Sequence, residues 1–248
     1  MIPGLLKLTA GAGLALMVAA CDEASTQQGG PAPLDPMPAK PAAAKAATPE
    51  EAASWTTPEQ AAFLSGRLIA ADMMFRAGER DGAKAQLVAL KQKMTTLDAG
   101  ALQALGYEPA RIDAIEGALD LGLTDEEITP LFAGAEANLS GVIEASDAAP
   151  KDTVTFLMRL SAESYEAGVK LGDIVDLDAY QAAFGYAVAA RDMIAPLDEA
   201  VYGDLRLELD ILVLMWPAAG PLAGHTPPPE VRMSEQFGRV KLALASIP

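Results

Sequence analysis

From Thr57 to the C-terminus, the apolar residues of this chain recur at the three-to-four-residue spacing of one helix face, and no stretch alternates at the two-residue spacing of a half-buried strand. Phe63, Leu64, Leu68, Ile69 and Phe75 mark a helix over about 58–77, with Gly78 suited to the position just past its end. Leu87, Leu90 and Met94 mark a second over about 80–95. After a break near Gly100, Ile112, Ile115 and Leu119 mark a third from Pro109 to Leu121. Further helices are predicted over about 124–145, 151–170, 178–194, 196–216 and 229–245. Pro130 either kinks the first of these or marks its true start. In the next, Glu166 and Lys170 stand at the favourable i,i+4 spacing. Hydrophobic residues make up 51% of the chain, chiefly Ala and Leu, and aromatics only 5%. That balance favours helix and disfavours sheet. The expected fold is all-α: a single multi-helix bundle over 57–248, with no repeat of solenoid length.

Helix starts are punctuated by capping boxes, in which a threonine and an acid or amide three residues on satisfy each other's backbone N–H groups. Thr48-Pro49-Glu50-Glu51 and Thr57-Pro58-Glu59-Gln60 are near-copies, each with proline at the first helical position. The first opens a short helix ending near Trp55. Thr124-Asp125-Glu126-Glu127 is the third box.

The N-terminal quarter reads differently. Residues 1–20 combine Lys7 with an apolar run from Leu8 to Val18. That run is about 11 residues, or roughly 16 Å as a helix, too short for a hydrocarbon core of about 30 Å. It fits a cleaved secretion signal. Residues 22–47 contain Pro31, Pro33, Pro36, Pro38 and Pro41 among Ala, Gly, Gln and Lys, with no apolar period. Residues 21–56 are therefore expected to be a flexible, disordered tether, semi-extended where proline-rich.

The only cysteine, Cys21, ends the apolar run. Val18-Ala19-Ala20-Cys21 resembles the lipobox of bacterial lipoproteins. The resemblance implies cleavage before Cys21, a diacylglyceryl group on its sulfur and an acyl group on its new amine. Two or more acyl chains anchor a protein stably where one does not. With Cys21 modified, no disulfide can form and stability must come from packing. Asp22 resembles an inner-membrane retention signal, with Glu23 compatible, so the expected address is the periplasmic side of the cell envelope, the inner membrane favoured over the outer.

Removing residues 1–20 takes away one of the 18 basic residues and none of the 34 acidic ones. So acidic a surface repels nucleic acid and anionic headgroups. Basic proteins and cations remain as partners, beside the membrane reached through the lipid.

No motif for catalysis stands out. His225, the only histidine, lies in the Pro/Gly-rich loop 217–228, with no second His or free Cys to complete a metal set. No serine sits in a nucleophile elbow and no glycines form a phosphate loop. Asp173, Asp176 and Asp178 fail the EF-hand pattern, and either Asp176 or Asp178 is expected to cap the following helix. Met73 and Met74 point about 100° apart on a helix and are expected in the core. Carboxylate pairs for hydrolysis arise by chance among so many acids, and nothing selects one.

Phe63 to Met94, Tyr180-Gln181-Ala182-Ala183-Phe184-Gly185-Tyr186, and Leu205 to Leu244 with Trp216-Pro217 resemble a group of uncharacterised all-helical periplasmic proteins of proteobacteria, distantly similar to the imelysin and iron-uptake lipoprotein folds. The resemblance implies a helical bundle with a Gly-His step in its first long helix and spaced histidines in the second. Here Arg67 follows Gly66, and the second-helix positions are Gln86 and Ala89. Arginine does not ligate metals and alanine has no donor atom, so the metal function that the resemblance implies is weakened. Arg67 is either a surface arginine or the holder of an acidic partner.

The expected function is that of a membrane-anchored, non-enzymatic lipoprotein without cofactor, acting as an accessory or protein-binding module through Cys21 for anchoring and Asp22 for sorting. The alternative is a carboxylate-based cation-binding or metal-binding module. An enzyme would need a pocket of close carboxylates with raised pKa.

Overall fold

The computed structural model describes residues 54–248. The signal segment, Cys21, Asp22, most of the expected tether and the Thr48 capping box lie outside the described residues. Among the described residues nine helices follow one another: α1 Thr57–Arg76, α2 Arg80–Met94, α3 Ala99–Ala104, α4 Ala110–Asp120, α5 Asp125–Ala145, α6 Pro150–Gly168, α7 Leu177–Ile194, α8 Glu199–Leu214 and α9 Glu230–Ser246. The fold is an all-α bundle. Among the described residues the one departure is a two-stranded hairpin between α6 and α7, β1 Val169–Lys170 and β2 Asp173–Ile174, paired antiparallel.

Two helices form the centre. α1 packs on α2, α5, α6 and α7, and α7 packs on α1, α6 and α8. Buried residues run round the whole circumference of α1 from Gln60 to Phe75, and almost without interruption along α7 from Tyr180 to Ala190. Being apolar or small on every side is what sends a helix to the middle of a bundle rather than to its surface. The stripe predicted for α1, from Phe63 to Phe75, is therefore only part of its contact surface. The outer helices follow the ordinary rule and bury one face each: Ile112, Ile115 and Leu119 on α4, and Met233, Val240 and Leu244 on α9. Phe132, fully buried, stacks on Phe75 at 5.4 Å.

α1 and α7 cross through glycine. A Cβ on Gly185 would stand inside the van der Waals shell of the Gly66 carbonyl oxygen and 3.0 Å from Ala70 Cβ. A Cβ on Gly66 would meet the Tyr186 ring. Absence of side chains at both positions lets the backbones touch and lays Tyr186 over Gly66. The α6–α7 junction repeats the device, since a Cβ on Gly168 would lie 2.6 Å from Tyr180 N.

Helix ends show where the sequence was legible. Thr124 and Glu127 make the expected capping box, Thr124 N donating to Glu127 Oε2 at 2.9 Å. The α1 box is displaced by one residue: Thr56, not Thr57, is the cap, and its N–H donates to Glu59 Oε2 at 2.7 Å. The Thr56-Thr57 doublet offers two registers, and glutamate outbids the Gln60 amide for a positive helix end. Gln60 instead ties down the chain before it, donating to the Trp55 carbonyl at 2.9 Å. Trp55 is buried against Phe63 and Phe156, so packing of the bundle starts before residue 57. Gly78, with φ +82°, closes α1 as predicted, Glu79 N donating to the Met74 carbonyl at 2.9 Å.

Pro130 lies inside α5, which continues through it. It sits within the first two turns, where the lost bond is the single one to the Glu126 carbonyl. α6 stops at Gly168, so Lys170 leaves the helix and its i,i+4 relation to Glu166 does not form. The hairpin turns at Leu171 and Gly172, both at positive φ (54° and 83°). Two such residues match the twist of a tight hairpin. Leucine in the first place costs about 1–2 kcal/mol, which is why Leu-Gly does not announce a hairpin as Asn-Gly would.

Candidate functional site

Two clefts flank the central helices. The first, about 360 Å3, opens between α1, α2, α6 and α7 and contains Arg67. The Gly66–Gly185 crossing fixes its floor, where Trp55, Phe63 and Tyr186 form an aromatic run, Trp55 to Phe63 at 5.2 Å and Phe63 to Tyr186 at 5.9 Å. Burial pushes the Tyr186 hydroxyl pKa up, the nearby Arg67 opposing it, so Tyr186 is a neutral phenol at physiological pH. Arg67 is only 5% exposed. Its guanidinium forks onto Asp178, Nη1 donating to Oδ2 at 3.0 Å and Nη2 to Oδ1 at 2.8 Å. Arg67 is thus no surface arginine; it holds an acidic partner 111 residues on. Its buried Nε–H has no acceptor among the described residues.

The three aspartates after the hairpin divide their work. Asp176 caps α7, accepting from Ala179 N at 3.1 Å. Asp178 stands in the first turn, where the helix end favours an acid, and turns to Arg67. Its side chain remains 51% exposed. Asp173 belongs to β2.

Of the two α2 positions singled out with Arg67, Ala89 lines the same cleft. Gln86, one turn earlier, is fully buried and donates to Gln181 Oε1 at 2.8 Å, while Gln181 Nε2 donates to Met74 Sδ at 2.9 Å. This amide pair joins α2, α7 and α1 in the core. Met74 is buried and Met73 packs against the core. His225 is exposed in the loop before α9.

The second cleft, about 500 Å3, lies on the other side of α1 and is lined by Ser65 and Ile69 of α1, Glu136 and Ser140 of α5, Thr153 of α6 and Asp192 of α7. Burial, then the charges of Asp72 and Asp192, push the Glu136 carboxyl up to about 7, with Arg76 opposing. Asp72, buried one turn beyond Ile69, is pushed up by burial against the pull of Arg76, whose Nε donates to Oδ2 at 2.5 Å. The other Asp72 oxygen has no partner among the described residues. A carboxyl protonated near neutrality can exchange protons at working pH. Among the described residues no His or Cys lines this cleft. Among the described residues, no group of three or more His, Cys, Asp or Glu is disposed to hold a metal ion, and no helix is long and apolar enough to cross a membrane.

Glu136 carries a pH dependence with a definite sign. Its folded pKa lies above the ordinary carboxylate value, so its contribution to stability is complete below about 4.5 and is lost as pH rises through about 7. Asp72 acts in the same sense. Glu136→Gln is therefore expected to stabilise the bundle by about 1–2 kcal/mol at pH 8, discounted for partial exposure, and to change little at pH 5. Urea unfolding at the two pH values checks this; equal effects at both contradict it.

Neither cleft was legible in the sequence. The signal that existed was the presence of Arg67 and Asp72 on a helix otherwise apolar or small on all sides, where a charge must be paired or must line a cavity. Comparison of the chain with protein-family models, with curated proteins and with solved structures finds no match.

Proposed function

We propose that this chain is a lipid-anchored lipoprotein of the cell envelope, held on the periplasmic side through Cys21 and sorted by Asp22, whose helical bundle serves as a non-enzymatic, protein-binding accessory module. The observation that supports a protein partner is the outer face of α8. Its inner face buries Leu205, Leu209, Leu212 and Val213. Leu207, Ile211 and Leu214, spaced four and three apart, form a second apolar stripe on the solvent side, 58%, 36% and 81% exposed. Val231 and Leu242 of the neighbouring α9 are 71% and 73% exposed. Single exposed leucines need no explanation, but a stripe at helical spacing is how a helix face is read by a partner.

The exposed acids Asp204 and Asp210 accompany the stripe, so the matching surface is an apolar patch with a basic rim. The same acids disfavour an anionic membrane surface as the occupant.

Capture of the tagged full-length chain from detergent-solubilised membranes tests this. The wild type is expected to bring down a stoichiometric protein, and Leu207→Glu with Leu214→Glu to lose it at least about tenfold without loss of stability, since both residues are exposed. Recovery of the chain alone, or equal recovery of the partner by the variant, would sink the proposal.

A further inference from the structure

We propose that the Arg67 cleft is a binding site for a small aromatic monocarboxylate. Three features of the site specify that chemistry. The first is the cation. Arg67 is nineteen-twentieths buried, and its fork already holds a planar two-oxygen anion, the Asp178 carboxylate, in bidentate geometry at 2.8 and 3.0 Å. Asp178 is half in solvent, so it can swing out and be rehydrated when another carboxylate arrives. The buried Nε–H of Arg67 has no acceptor among the described residues, so the bundle does not saturate the guanidinium.

The second feature is the floor. Trp55, Phe63 and Tyr186 offer aromatic surface to the body of the ligand, and Leu160 and Ala182 complete it. The cleft, at about 360 Å3, falls at the lower end of the range of about 300–1,000 Å3 that holds small molecules. The third is the charge around the rim. Glu163, Asp176 and Asp178 line the cleft against Arg67 and Lys93. A phosphate or dicarboxylate would bring a second negative charge towards Glu163 and Asp176, whereas a single carboxylate is neutralised by Arg67 once Asp178 has left. Gln92, Thr96 and Ser164 also line the cleft, as hydrogen-bonding groups for a polar substituent.

Asp178 is then an internal competitor, and removing its charge should strengthen binding. The probe is benzoate, with benzamide as its neutral isostere and inorganic phosphate as the dianionic control, titrated by calorimetry into the full-length chain in detergent. Benzoate is expected to bind at least about tenfold more tightly than benzamide or phosphate, a difference of about 1.4 kcal/mol. Asp178→Asn is expected to raise benzoate affinity about tenfold and to gain more thermal stability from benzoate than the wild type does. Arg67→Met is expected to abolish the preference for benzoate over benzamide. Should Arg67→Met fail to fold, the Asp178→Asn comparison decides alone. Equal affinity for benzoate and benzamide, no binding to either the wild type or Asp178→Asn, or weaker benzoate binding by Asp178→Asn would each overturn the proposal.

Discussion

Gly185→Ala is expected to destabilise the bundle by at least about 3 kcal/mol, lowering the thermal midpoint by roughly 10 °C for a domain of this size. A methyl group on Gly185 collides with the Gly66 carbonyl, a backbone atom of the central helix that has no rotamer to escape into, and presses on Ala70 Cβ at 3.0 Å. Relief requires α1 and α7 to separate. Their contact extends along both helices, so separation opens the core on each side of the crossing rather than at one point. The same movement carries Arg67 and Tyr186 away from each other and spoils the floor of the first cleft. Gly117→Ala is the internal control: no atom lies near its Cβ direction, and it sits in the interior of α4. Alanine there should stabilise by up to about 1 kcal/mol through helix propensity. Chemical unfolding of the two variants beside the wild type checks the pair. A Gly185→Ala protein within about 1 kcal/mol of wild type would show that the crossing tolerates expansion.

How much of this is legible in the sequence depends on how local the cause is. Capping boxes, Gly78 and the apolar stripes are set by neighbours a turn or two apart, and they place most of the helices within a residue or two. The choice of Thr56 over Thr57 shows the limit, because two adjacent threonines differ only in which acid or amide each meets. The hairpin escaped because its turn uses Leu171 in a left-handed conformation that leucine seldom adopts. The central position of α1 and α7 is likewise not legible in the apolar period. A stripe drawn through Phe63, Leu64 and Leu68 counts large side chains, whereas these helices are buried as much by Ala and Gly, which a hydropathy period underweights.

The two clefts are non-local. Arg67 and Asp178 are 111 residues apart in the chain and meet only because Gly66 and Gly185 let their helices touch. Glu136 acquires its raised pKa from burial and from Asp72 and Asp192 on two other helices. No spacing rule in one segment encodes such a meeting. What the sequence does contain is the charged residue in the wrong place, an arginine and an aspartate on a helix that has no solvent face.

The second large effect concerns the membrane. Each buried CH2 of an acyl chain contributes about 0.8 kcal/mol to membrane affinity, so a multiply acylated Cys21 would hold the bundle many orders of magnitude more tightly than its acidic surface could by itself. Replacing the sulfur by a hydroxyl would remove the nucleophile proposed to take the diacylglyceryl group. If the proposed lipidation precedes cleavage before Cys21, Cys21→Ser should also leave residues 1–20 attached. Both consequences appear in the mass of the N-terminus.

Intact mass spectrometry of the chain recovered from fractionated cells tests the central claim most directly. For the wild type, a membrane-fraction species beginning at Cys21 and carrying diacylglyceryl and N-acyl mass is the predicted result, with Cys21→Ser appearing only as unacylated chain beginning at Met1. A wild type without lipid mass, or a Cys21→Ser protein processed normally and released in soluble form, would contradict it.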